Sequence, residues 1–500
     1  MNTFISSFEH DQNLKRTENG AVAHSSTMSK LYDLFALGGA YRTRSDADVI
    51  YLFKQAMEEH ELYALKCLFY LRDVRGGQGE RRFFRVIYHW LCQEHLDIAL
   101  RNIELIPEYG RWDDLIYACE GTAAESIAFG IIKKQIVLDA KCKTPSLLAK
   151  WMPSENASSK ETARVANKLR KFLGFSHKEY RKLLSELRRR INVLERLMSQ
   201  NRWDEIEFDK IPSRAGLIYR NAFARRDALR YAEFMKSKKT KVNAGTLYPY
   251  DVVKKAHAVR HLGHHDPTRL AVNKYWENLP DYFNGSENSI MAVVDTSGSM
   301  TWGNGSAMPI DVAIGLGMYA AERNKGDFHN YYISFASRPQ LIKIDGFDFV
   351  DSVDRIYRTN LCDNTDLPAV FDLLLNKVRS GAVQKEDLPK TLVVISDMEI
   401  DSGTGSWDWY GRGTGRGWTA KTAQTKMESI RKIWNSYGLE LPHLVYWNVN
   451  ARNDTILDAG PDVTFCSGCS PVLFEQICSG KTSIDLMLDK LNSSRYKAIQ

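Results

Sequence analysis

The stretch that most restricts the fold of this chain is Asp295–Ser299, read Asp-Thr-Ser-Gly-Ser, directly behind the apolar run Ile290–Val294. A short, partly β-branched apolar run reads as a buried central strand. That strand ends in one carboxylate and two hydroxyls. In open α/β sheets, the carboxyl edge of the strands is where ligands bind. Asp295, Ser297 and Ser299 alternate, so a tight turn brings their three oxygens toward one point, with Gly298 permitting the close backbone. Carboxylate and hydroxyl oxygens are hard ligands, suited to Mg²⁺ or to Mn²⁺ in its place.

Two later segments complete such a site. Asn364-Thr365-Asp366 precedes the amphipathic run Leu367–Val378, which puts Thr365 near a helix start. Thr391–Asp397 is a second apolar strand ending in a carboxylate. One Asp-x-Ser-x-Ser is a weak signal, because Asp and Ser are common in turns. Three pieces in this order, each at the end of the right kind of element, are specific. At Asp295, Ser297, Ser299, Thr365 and Asp397 the chain resembles a von Willebrand factor A domain with its metal-ion-dependent adhesion site. The resemblance implies that these five residues hold the cation, with a coordination position left for an acidic side chain of a protein partner. Glu399 is an extra carboxylate to which the sequence assigns no role.

The 500 residues are enough for two or three domains with ample core. No apolar stretch approaches the ~18 residues that span a membrane. Residues 1–16 lack the apolar core of a signal peptide. With eight scattered cysteines, a reducing, cytoplasmic setting is the expectation. Cys466 and Cys469 lack the further pair that a zinc site requires. Of the 68 basic and 61 acidic side chains, residues 288–500 hold 21 and 25, which leaves 47 and 36 for residues 1–287. The positive excess therefore lies in the front half, the candidate for an anionic partner.

Residues 1–26 are polar and read as a loose arm. From 27 to 283 the apolar spacing is helical, with helices expected around 49–57, 62–71 and 83–91, and the theme repeats over 103–120 with Gly110–Asp114 as turn and helix start. The Gly-rich turn Arg72–Arg82 lacks the Lys-Ser/Thr ending of a phosphate loop and reads as an interhelical connection. Helix density suggests stacked HEAT-type pairs. Residues 150–190 concentrate 12 Lys and Arg against 4 Glu. Lys150, Arg164, Lys168, Arg170, Lys171, Lys178, Arg181, Lys182, Arg188 and Arg189 alternate there with Trp151, Phe172, Phe175 and Tyr180. That pattern makes them candidate RNA contacts, phosphates on the cations and unpaired bases on the rings. From 288 to 500, strand and helix alternate, which predicts a doubly wound parallel sheet. The Gly- and Trp-rich insertion 403–421 follows Asp397 and is expected to overhang the metal.

An all-α, basic front half joined to an A domain resembles the Ro autoantigen family, in which a ring of HEAT-like repeats (the TROVE module) is closed by such a domain. Nearly the whole chain is also similar to a family of viruses and plants known as domain of unknown function 2828. Thr17–Ala21, Tyr70–Arg81, Lys150–Ser154, Tyr180–Ser185, Ile211–Arg214 and the metal motifs carry that similarity. The Ro resemblance implies binding of small structured or single-stranded RNA. The competing expectation is a protein-interaction scaffold, of viral or cellular origin, that binds an acidic partner residue at the metal site without RNA. No activated nucleophile or general-base pair accompanies the metal ligands, so catalysis is not expected.

Overall fold

A computed structural model describes residues 13–19, 21–191, 193–283, 289–303, 307–359, 365–400, 426–457, 463–478 and 483–500. The insertion 403–421 lies outside the described residues.

Residues 30–277 are helical, and 290–491 combine strands with helices. The C-terminal sheet has six strands: β3 (Ile290–Asp295), β4 (Tyr331–Phe335), β5 (Leu341–Lys343), β6 (Thr391–Ser396), β7 (His443–Asn448) and β8 (Val463–Ser467). Their order is β5-β4-β3-β6-β7-β8. All pairings are parallel except β4 with β5, which is antiparallel, so the sheet is mixed rather than wholly parallel. The short β5 follows β4 after a tight turn, and only an antiparallel return closes over so few residues. Every residue of β3 is buried, as its unbroken apolar run requires.

The strand order fixes the site. From β3 the chain moves outward to β4, then returns to lay β6 on the other side of β3 and continues to β7 and β8. The order therefore reverses between β3 and β6, the crevice where ligands bind in open α/β sheets.

The helix Pro309–Arg323 packs between the sheet and the helical half, and residues 309–321 are all buried. A helix apolar all round needs neighbours on every side. Two glycines admit them. A Cβ on Gly317 would stand 2.3 Å from Val294 Cγ2, and one on Gly315 would stand 2.8 Å from the backbone of Tyr250.

The helical half is anchored to the sheet half at both of its ends. At the first end, the Tyr32 hydroxyl donates to the Phe465 carbonyl (3.1 Å), and the Gly39 amide donates to Ser467 Oγ (3.0 Å). The C-terminal tail also docks there, Arg495 gripping Asp73 through two bonds of 2.7 and 2.9 Å. Asp73 belongs to the Gly-rich turn, which thus serves as a packing corner. At the other end, Trp276 stacks on Phe349 with centroids 4.1 Å apart. Beside it, Arg269 binds Asp348 and Asp351 at 2.6 Å each.

The loose arm expected over residues 1–26 is corrected only where the structure describes it, from residue 13; residues 1–12 lie outside the described residues. Residues 14–16 and 22–24 form an antiparallel pair, β1 and β2, and His24 bridges to Ile456. Asn13, Thr17, Ala21, Ala23, His24 and Ser26 are buried. The polar side chains that suggested a free arm are hydrogen-bonded inward. The turn expected at Gly110 within 103–120 is present: its φ of −114° and ψ of −120° are not helical, and the helix Trp112–Cys119 starts just behind it.

Candidate metal centre

Asp295 closes β3, and Asp397 stands directly behind Ser396, the last residue of β6. Because the two strands are neighbours in register, their ends coincide. The Ser297 amide donates to Asp295 Oδ1 (2.8 Å), folding the loop back over its own carboxylate. Ser297 Oγ and Ser299 Oγ lie 3.0 Å apart. Ser299 hydrogen-bonds to Asp397, joining the first loop to the third. Ser396 donates to Asp295 Oδ2 at 2.5 Å, a partner the sequence reading missed. The only sequence signal for it was a polar residue ending an apolar strand.

Thr365 is buried two residues before the helix Leu367–Arg379. That helix feeds β6, so its first turn lies at the carboxyl edge of the sheet, the edge that carries Asp295 and Asp397. Asp366 caps it, accepting from the Ala369 amide (3.2 Å). Asp295, Ser297, Ser299 and Asp397 are thus joined by direct contacts, with Thr365 entering from the same edge. Gly298 is a correction: no described atom lies within 4 Å of a Cβ built there, and its φ is not in the left-handed region. The loop closes without needing a glycine.

The electrostatics are those of a buried acidic pair that only Arg452 partly compensates, at Asp397. Asp295 and Asp397 are almost wholly buried. Burial, and then the Asp397 charge, push Asp295 up to about 7. Burial raises Asp397 as well, against the pull of Arg452. Arg452 Nη2 stands 3.1 Å from Asp397 Oδ2. That approach is an ion pair without hydrogen-bond alignment, because Asp397 Oδ2 accepts no hydrogen bond. A buried carboxylate oxygen lacking a donor costs free energy unless a cation meets it. Two carboxylates, two serine hydroxyls and a threonine form an all-oxygen set of the kind Mg²⁺ and Mn²⁺ take. The residues present fit a divalent cation.

Met398 has a φ of +64° while buried between two carboxylates. A left-handed non-glycine residue costs about 1–2 kcal/mol and marks a position fixed by its surroundings. Here it separates two roles. Asp397 faces β3, whereas Glu399 turns toward the N-terminal pair of strands. Glu399 Oε2 accepts from the Glu18 amide (2.6 Å), and Oε1 accepts from Asn453 (3.2 Å) and Thr455 (3.4 Å). Asn19 and Thr17 donate to the carbonyls of Glu399 and Ile400, each at 2.7 Å. Arg452 also pairs with Glu18 (2.8 Å), so one guanidinium spans the arm and the metal loop. Glu399 therefore ties down the arm.

A second acidic group, His264, Asp348 and Asp351, has ligand atoms close enough to hold an ion. Arg269 already occupies it, donating to both carboxylates, and Asn273 adds a bond to Asp348 (2.9 Å). The Arg269 bonds hold Asp348 down at about 2 despite its partial burial. Those residues are a structural ion pair. Cys466 and Cys469 are buried free thiols, with Cys469 accepting from Arg42.

The basic stretch is redistributed by the fold. It forms the helices Lys160–Leu173 and His177–Arg190, separated by Gly174 at φ +77° and capped by Ser176. Arg164 pairs with Glu120 (2.6 Å), Lys168 with Glu125 (2.9 Å), Arg170 with Glu155 (2.8 Å) and Arg189 with Glu186 (2.5 Å). Arg188 donates to backbone carbonyls. These five, expected at RNA, also have partners within the protein: Arg164, Lys168 and Arg170 meet carboxylates distant in sequence, Arg189 meets one a helical turn away, and Arg188 meets carbonyls. Lys171, Lys178, Arg181 and Lys182 are exposed, and Lys150 is half-exposed. The rings differ too. Tyr180 is buried, and Trp151 is covered by the Arg111 guanidinium 4.0 Å from its centroid.

Residues 17–133 and 133–283 match the family described as Domain of unknown function (DUF2828), together more than half of the chain. The chain belongs to the DUF2828 family. Residues 288–492 match a second family, Domain of unknown function (DUF7788), so this DUF2828 protein joins two families of unassigned role. An uncharacterized protein of Acanthamoeba polyphaga mimivirus is 27% identical over 489 residues, covering 89% of this chain and 80% of that protein. The crystal structure of the Deinococcus radiodurans RO (RSR) protein aligns with a TM-score of 0.48 at 14% identity, over 91% of this chain and 100% of that one. Among the described residues, no helix is long and apolar enough to cross a membrane.

Proposed function

We propose that this DUF2828 protein is a non-catalytic, Ro-like binding protein of two parts. The sheet half is a von Willebrand factor A-like domain. It holds Mg²⁺ or Mn²⁺ on Asp295, Ser297, Ser299, Thr365 and Asp397, and an acidic side chain of a protein partner completes the coordination. The helical half, anchored at both ends as a closed HEAT-like ring would be, holds small structured or single-stranded RNA. The observation that carries this reading is the buried Asp397 Oδ2, which has no aligned hydrogen-bond donor and only the approach of Arg452, on a carboxylate next to Asp295 where the strand order reverses. A cation there would neutralise the pair and give the site affinity for a carboxylate.

The RNA half is supported by the exposed cations Lys171, Lys178, Arg181 and Lys182 and by the excess of 47 basic over 36 acidic residues in 1–287. The competing scaffold reading draws on the internal pairing of Arg164, Lys168, Arg170 and Arg189, which leaves fewer cations for phosphates. Filter binding of a small structured RNA across a salt series separates the two. RNA binding predicts an affinity that falls steeply with salt, since phosphate contacts release counterions. A partner retained after nuclease treatment and lost with Asp295→Ala, with no salt-dependent RNA binding, favours the scaffold.

A further inference from the structure

A half-open cleft of about 660 Å³ lies between the short helix Leu148–Trp151, the helix His177–Arg190 and the helix Leu194–Ser199. Its size is that of a small-ligand site, ~300–1,000 Å³. Four cations line it: Lys150, Arg181, Arg188 and Arg196. Two carboxylates share the wall, so the cations outnumber them two to one. Glu155 is held by Arg170 and His177, each at 2.8 Å, and Glu195 accepts from the Tyr219 hydroxyl at 3.2 Å.

Arg188 is the group that asks for a ligand. Its Nε donates to the Ala149 carbonyl (2.8 Å), one Nη to Ser154 Oγ (3.0 Å) and the other to the Met152 carbonyl (3.0 Å). A guanidinium carries five N–H donors, so one remains on each Nη. The three bonds hold the fork rigid and supply no negative charge. Arg72 meets Asp114 (2.5 Å) and Arg269 meets Asp348 (2.6 Å), whereas buried Arg220, like Arg188, bonds to a backbone carbonyl and pairs with no carboxylate among the described residues; unlike Arg220, Arg188 lines this half-open cleft. Among the described residues, no carboxylate pairs with Arg188. Burial works against its charge, opposed only by Tyr180. A partly desolvated, pre-oriented fork without a counter-ion matches the geometry of a phosphate. Arg196 and Lys150, at the same cleft, make no ion pair among the described residues. Lys178 stands one helical turn before Arg181, and Lys182 one turn beyond Lys178, exposed cations outside the cleft for further phosphates and more than a single phosphorylated side chain needs.

We propose that this cleft is a binding site for a nucleotide phosphate, held between Arg188, Arg181, Lys150 and Arg196, with the nucleoside in the remaining volume. The phosphate comes from an RNA strand or from a free nucleotide; only the first source rests on the RNA reading above. The test is fluorescence titration of the full chain with 5′-AMP, a short oligouridylate, inorganic phosphate and a phosphoserine peptide. Wild type is compared with Arg196→Gln and Lys150→Gln, rim changes that break no bond of the fold; equal melting temperatures check folding.

Binding of a nucleotide probe that weakens about tenfold in each variant supports the site, as does a fall of about 1 in the oligouridylate salt slope. If AMP binds in this way and oligouridylate does not, the cleft stands and the RNA reading fails. If oligouridylate binds equally to wild type and both variants, the cleft is refuted and the RNA reading stands. Capture of the phosphoserine peptide or inorganic phosphate without either nucleotide probe overturns the proposal, as does no binding at all.

Discussion

Two acidic clusters in this protein are built from the same residue types and have opposite meanings. Asp348 and Asp351, on the seam between the two halves, are met by the bidentate guanidinium of Arg269 and by Asn273. Asp295 and Asp397, at the carboxyl ends of neighbouring strands, are more deeply buried. They have the unaligned approach of Arg452 to Asp397 and, on each, a serine hydroxyl and one backbone amide, from Ser297 and from Glu399. The first cluster holds its arginine in aligned bonds and is part of the fold. The second has one unaligned arginine for two buried carboxylates and is the candidate site. What separates them is the partner each carboxylate has, since carboxylate count and spacing are similar in both.

The largest effect that would sharpen this contrast is on metal binding. Asp295→Ala should reduce Mg²⁺ affinity by about 100-fold or more, since it removes a charged ligand. At about 100 times its dissociation constant, Mg²⁺ should stabilise the wild-type chain by about 2.7 kcal/mol. Melting curves over a Mg²⁺ titration should show that stabilisation lost in Asp295→Ala and kept in Asp348→Asn. Equal loss in both variants would erase the distinction.

Next come the two arginines. Arg269→Met leaves two partly buried carboxylates uncompensated and should cost about 2–3 kcal/mol in denaturant unfolding. That figure is discounted because Asp351 is about a third exposed. Arg452→Met should cost less than about 1 kcal/mol and should raise Mg²⁺ affinity several-fold, because it removes a competing cation. A larger stability loss at Arg452 than at Arg269 would reverse the comparison.

Acid–base behaviour should also divide the clusters. Asp348 is held at about 2, below its ordinary 3.8. Its contribution is present above about pH 4 and is lost as the pH falls toward 2. Asp295 is shifted upward, so its contribution to the metal-free protein is full below about pH 4 and is lost as the pH rises through about 7. With chelator present, melting temperatures should therefore fall from pH 5 to pH 7.5, and Mg²⁺ should remove that fall. A flat chelator profile would contradict the assignment.

The smallest effect belongs to the arm. Glu399→Gln weakens the charge-assisted bond from the Glu18 amide and should cost about 1 kcal/mol. Faster proteolysis within residues 13–26 would register it.

Much of the geometry of the Asp295–Ser299 loop was legible in the sequence, because a carboxylate at the end of an apolar strand is positioned by the backbone alone. The alternation of Asp295, Ser297 and Ser299 does not depend on distant residues. The role of Glu399 was not legible, since its partner Glu18 is 381 residues away. The same limit misled the reading of the basic stretch. Arg170 looks free along the chain until Glu155 folds against it, and Tyr180 looks like a stacking ring until it is buried against Pro153. The antiparallel β5 escaped because strand direction depends on loop length and on neighbours.

The most direct test is anomalous diffraction from crystals of the full chain grown with millimolar Mn²⁺. The account predicts one peak between the ends of β3 and β6, within bonding distance of Asp295 and Asp397, with Arg452 turned away from it. A peak beside Asp348 and Asp351, or no peak between the two strand ends, would contradict it.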